Sequence, residues 1–122
     1  MVVFCDGTQF TYHKGDDKCE IVLSEFVNTI KNANEMPAFG VSLDNETQSA
    51  LAEGLWIEFV FHTTQIHNEM PFDALLIKIN PEDSGINLIR KHNGKYDGRC
   101  FYLNLKTTLK NFSQLIKEII KT

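Results

Sequence analysis

From residue 55 onward the chain keeps a period of two. "LWIEFVFHT" sets Leu55, Ile57, Phe59 and Phe61 on one side, and "DALLIKI" does the same with Leu75, Ile77 and Ile79. "INLIRKH" repeats the pattern with Ile86 and Leu88, and "CFYLNL" with Phe101, Leu103 and Leu105. Residues two apart in a strand share a face, so each segment reads as a strand with one buried side. Four such strands in succession predict an antiparallel meander over residues 55–105.

The flanking segments supply the layer that covers it. "VVFCDGTQFTY" predicts a small hairpin turning at Asp6-Gly7. "DDKCEIVLSEFVNTIKN" predicts a helix with a capping box at Asp17 and Glu20, and an apolar stripe of Cys19, Val22, Leu23, Phe26, Val27 and Ile30. "KNANEMPAFG" breaks that helix. "DNETQSALAEG" fits a short helix capped by Asp44, with Gly54 just past its end. "TTLKNFSQLIKEIIK" predicts a closing helix capped by Thr107, with a stripe of Leu109, Phe112, Leu115, Ile116, Ile119 and Ile120. The expected fold is α+β: an antiparallel sheet of four to six strands with the N-terminal and C-terminal helices packed on one face. Residues 1–122 fit a single domain.

The apolar pattern restricts the register, because a one-residue slip turns every side chain to the opposite face. A loop over 93–98 pairs Ile86 with Leu105, Leu88 with Leu103, Arg90 with Phe101, His92 with Arg99 and, on the reverse face, Ile89 with Tyr102. Asn93-Gly94 and Asp97-Gly98 are then two bends of one loop. A loop over 80–85 pairs Ile79 with Ile86 and Ile77 with Leu88. A loop over 64–72 pairs Ile57 with Ile79, Phe59 with Ile77 and Phe61 with Leu75, and sets Glu58 opposite Lys78 as a cross-strand charge pair.

Two candidate sites emerge from this register. Thr63, Asp73, His92 and Arg99 form a polar row at one end of the core face, with Arg90 beneath it and the long 64–72 loop above. Asp73 is placed to orient His92, and the two arginines are placed to hold an anionic ligand. The expectation set against it, and favoured because strand ends are routinely polar, is a solvated sheet end with Asp73 paired to Arg90 or Arg99. On the reverse face Val60, Leu76, Ile89 and Tyr102 share a row near Trp56, an apolar band with polar margins that suits a protein interface. The competing expectation is that residues 38–54 fold over that band.

Composition narrows the function class. A formal net charge of −4 argues against an electrostatic nucleic-acid binder. The three cysteines, Cys5, Cys19 and Cys100, show no CxxC spacing and no disulfide framework. Cys100 beside Lys91 reads either as an activated thiol or as a small packing residue. The opening residues lack a basic n-region, and no apolar run reaches membrane-spanning length, so a cytoplasmic setting without membrane attachment is expected. His13, His62, His67 and His92 lack metal-binding spacing, and GxSxG, P-loop and GxGxxG motifs are absent, so neither a metal nor a cofactor is implied. The reading is a small non-catalytic interaction protein that uses Trp56, Val60, Leu76, Ile89 and Tyr102 for a protein partner or for self-association. The alternative is a small enzyme or anion binder built on Thr63, Asp73, Arg90, His92 and Arg99.

Overall fold

The computed structural model describes residues 1–37 and 40–121. In chain order the elements are β1 (Val2–Cys5), β2 (Thr8–Thr11), α1 (Asp17–Ile30), β3 (Asn34–Met36), β4 (Val41–Ser42), α2 (Asp44–Ala50), β5 (Leu55–His67), β6 (Met70–Lys78), β7 (Gly85–Lys91), β8 (Gly98–Arg99), β9 (Phe101–Asn104) and α3 (Lys110–Ile120). The main sheet is antiparallel in the order β2-β1-β5-β6-β7-β9-β3, and β4 pairs with β8 in a two-stranded annex. This is the α+β arrangement the alternation predicts, with seven strands where four to six were expected. The unforeseen strand, β3, is short and exposed along its length, so it carries no alternation. It pairs along β9, Asn34 with Asn104 and Met36 with Tyr102, and so occupies an edge that would otherwise be open.

Helices α1 and α3 cover one face. Val22 and Phe26 of α1 and Phe112, Ile116 and Ile119 of α3 join Val3, Leu55, Ile57, Ile77, Ile79, Ile86, Leu88 and Phe101 in the main core. The Phe26 ring meets Phe59 at 4.9 Å and Phe112 at 5.8 Å. The buried stripe of α1 is therefore centred on Val22 and Phe26, and Leu23 and Val27, one step around the helix, stay exposed. The N-cap of α1 is Asp16, whose carboxylate accepts from the Lys18 backbone N–H at 2.9 Å; Asp17 and Glu20 lie in the first turn, where the helix dipole favours acids. Helix α3 begins at Lys110, later than the predicted cap at Thr107. Leu109 is drawn into the core, with its N–H bonded to the Asp83 carbonyl at 2.9 Å.

Register is where sequence and structure part. Between β6 and β7 it is the predicted one, with Leu75 opposite Arg90 and Leu76 opposite Ile89. Between β5 and β6, Ile57 faces Ile77 and Phe59 faces Leu75; between β7 and β9, Ile86 faces Leu103 and Leu88 faces Phe101. Both differ from the expected pairing by two residues. A two-residue slip keeps every side chain on its face, so the apolar pattern alone does not detect it. Turn chemistry decides instead. Residues 64–72 do not form a wide loop. The hairpin continues to a tight turn at Asn68-Glu69, both at positive φ (50° and 66°), with His67 opposite Met70. The surplus length is taken up by a bulge in which residues 61–64 of β5 face only Asp73 of β6. At the other hairpin Asn93-Gly94 makes its own tight turn, bridging His92 to Lys95, and the chain then diverts through Tyr96 before β8.

Glu69 carries a side chain in a backbone region that costs an L-residue roughly 1–2 kcal/mol. Glu69→Gly is expected to stabilise the protein by about 0.5–1 kcal/mol in urea denaturation. A loss of stability would favour the wide, flexible loop instead.

Candidate functional site on the reverse sheet face

The structure brings together part of the predicted polar row. Asp73 lies opposite the bulge and accepts from the Thr64 hydroxyl at 2.8 Å and from the Asn93 N–H at 3.2 Å. His92 Nδ1 is 3.4 Å from the Asp73 carboxylate but, although buried, has no hydrogen-bond partner among the described residues. Thr63 accepts from the Gln65 side chain and does not reach Asp73 through any of these bonds. His92 faces Lys95, not Arg99, and Arg99 stands exposed on β8 opposite Val41. Arg90 is buried and directed at backbone carbonyls, Nε to Arg99 O and Nη1 to Pro71 O, each at 2.7 Å. It ties the β5–β6 hairpin to β8, so its charge does not point outward to a ligand.

The reverse face carries a second cluster of Phe4, Leu51, Trp56, Leu76 and Tyr96. Leu51, at the end of α2, and Tyr96, from the diverted loop, cover Trp56 (5% exposed) and Leu76 (0%). Within the 38–54 segment expected to close this face, residues 38 and 39 lie outside the described residues, while α2 and Leu51 do lie over it. Of the proposed stripe, Val60 stands apart and exposed beyond the covered region, while Ile89 and Tyr102 remain half-buried. Trp56 still contributes an edge to two adjoining hollows. One, of about 610 Å³, includes Trp56, Lys78, Glu82, Asp83, Asn87, Ile89 and Tyr102; the other, of about 340 Å³, includes Val41, Leu43, Glu46, Trp56, Asn87 and Ile89. They share Trp56, Asn87 and Ile89, so they form one groove beside α2. The predicted Glu58–Lys78 pair does not form: Lys78 lies opposite Trp56, its ammonium 5.6 Å from the ring centroid.

The two-residue shift has a larger consequence at Glu58. It lies between Val2 and Leu76 and is only 4% exposed. Its carboxylate accepts a hydrogen bond from the buried Tyr96 hydroxyl. Burial, followed by the hydrogen bond to Glu58 and its charge, raises the Tyr96 phenol far above its ordinary value, so Tyr96 is a fixed donor. The loop that delivers Tyr96 is itself pinned: Asp44 accepts from the Tyr96 N–H at 2.9 Å, and Asp97 accepts from the Asp44 N–H at 2.8 Å. Lys91 completes the group, its ammonium 5.0 Å from the Tyr96 ring centroid. Sequence reading gave Glu58 only to a charge pair with Lys78 and Lys91 only to Cys100, and passed over Tyr96. The available signals were a lone acid inside "LWIEFVF" and a lone aromatic between two turn dipeptides. Cys100 is buried, and burial pushes its thiol up, which fits a packing role.

No protein-family model matches this chain, and no curated protein or solved structure matches it either. Among the described residues no helix is long and apolar enough to cross a membrane.

Two predictions follow from these contacts. Tyr96→Phe removes the donor to a buried carboxylate and is expected to cost about 1–3 kcal/mol by urea denaturation. Hydrogen bonds from Thr64 and then Asn93, with a smaller pull from His92, hold Asp73 below the usual carboxylate range. A depressed carboxylate stabilises the fold above its unfolded pKa, and this contribution is lost as pH falls through the folded value. The melting temperature of the protein should therefore drop below about pH 4, and Asp73→Asn should lose less over the same interval.

Proposed function

We propose that the chain is a non-catalytic binding protein whose reverse sheet face takes a protein partner, in the form of an apolar segment flanked by basic residues. The observation that carries this reading is the groove beside α2. Ile89 and Tyr102 supply its apolar floor with an edge of Trp56, and Glu46, Glu82 and Asp83 stand at its margins. Aromatic and aliphatic anchors within a polar rim are the usual anatomy of an interface centre. Among the described residues Lys78 is the only basic one in either lining, and its ammonium lies over the Trp56 ring. The margin is thus net acidic, in keeping with a chain of net charge −4. Complementary charge favours a basic partner, whereas a second copy placed on the same patch sets acid against acid.

A display selection of random dodecapeptides against the purified protein tests this. The expected winners have an apolar centre and Lys or Arg flanks, shift the amide signals of residues 78–89 and 102, and bind more weakly as salt rises. Ile89→Asp should abolish binding while leaving the amide spectrum of the core intact. Failure to enrich such peptides, shifts that map elsewhere, or a concentration-dependent dimer that occupies this face would overturn the proposal.

A further inference from the structure

A carboxylate withdrawn from water needs its acceptor positions filled, and an ionised one offers about four. Glu58 is 4% exposed, and Tyr96 is its one hydrogen-bond donor among the described residues. No cation lies within ion-pair distance of it among those residues; the nearby Lys91 ammonium is placed over the Tyr96 ring. Glu58 nevertheless forms part of the wall of a depression of about 390 Å³, separated from the α2 groove by the Leu51–Trp56–Tyr96 cluster. Val2, Phe4 and Leu51 give this depression apolar walls, and Gln9 and Gln48 place amides at it. Its size lies in the range of small-molecule sites, which combine apolar walls with a few fixed polar groups.

We propose that this depression binds a small organic amine, with the ammonium group bonded to Glu58 and an apolar body against Phe4 and Leu51. The donor set selects this class. One acid with no second carboxylate beside it is a poor cage for a metal ion, which takes several oxygen ligands, and the Lys91 ammonium lies over the Tyr96 ring instead of pairing with Glu58. An ammonium supplies both the charge and the N–H donors that Glu58 lacks. Tyr96, in the same wall, completes the site as a positioning residue, since its hydroxyl holds the carboxylate in place.

The test is an amide-shift titration of the whole protein with phenethylamine and with 2-phenylethanol, which has a similar shape but no charge. Phenethylamine is expected to shift Phe4, Gln48, Leu51 and Glu58 and to bind roughly tenfold or more tightly than the alcohol. Glu58→Gln, which keeps an acceptor for Tyr96, should lose the amine's advantage. Gln48→Trp, at an exposed wall position, should block binding without touching the buried pair, and so serves as the check if Glu58→Gln fails to fold. Equal binding of amine and alcohol, no binding at all, shifts confined to the α2 groove, or undiminished amine binding in Gln48→Trp would each overturn the proposal.

Discussion

The start of β5 is buried on both sides, and the rest of the molecule is arranged to make that possible. Leu55 and Ile57 point into the layer made by α1 and α3, while Trp56 and Glu58 point the other way, and all four are buried. A strand flanked by β1 and β6 and covered on both faces needs two separate lids. The first is the pair of amphipathic helices. The second is improvised from α2, Leu51 and the loop bearing Tyr96, and it is pinned through Asp44 and Asp97. The main core, the groove and the Glu58 depression all follow from which parts of the sheet each lid reaches.

The second lid also explains the polar chemistry of the reverse face. Tyr96 reaches Glu58 only because the chain turns tightly at Asn93-Gly94 and then departs from the ladder. The same departure brings the Arg99 carbonyl to Arg90 and Gly98 close over its guanidinium, so a buried cation is held by backbone oxygens. Arg90 is thereby a strut between the β5–β6 hairpin and β8. Acid and tyrosine on one face, and arginine and carbonyls on the other, are the polar fastenings of an otherwise apolar sandwich.

Some of this was readable from the residues. The positions of the four meander strands, the Asp6-Gly7 hairpin and helix α1 follow from period and turn chemistry, because both signals are local. The β6–β7 register was also readable, since a single short connection left little freedom. The other two registers were not. Each hairpin contains an insertion, the 61–64 bulge in one and the Tyr96 diversion in the other, and an insertion that shifts pairing by two leaves the face pattern unchanged. From that slip came the expected Glu58–Lys78 pair and the expected gathering of Arg99 and Thr63 about Asp73. The Asp73–His92 proximity and the Leu75–Arg90 pairing survived, because they depend on the β6–β7 register alone.

What the sequence determined by itself is parity: which side of the sheet each strand residue faces, and that two helices had apolar stripes to lay against one side. Parity is a property of the extended backbone and needs no knowledge of neighbours. The tertiary structure decided phase: which residue stands opposite which, and what covers the second face. Phase depends on how bulges and tight turns distribute surplus length, and on a loop aromatic finding a buried acid far along the chain. Those choices are settled by packing and hydrogen-bond satisfaction across the whole sheet, so the same alternating strands are compatible with several registers until the two lids close on one of them.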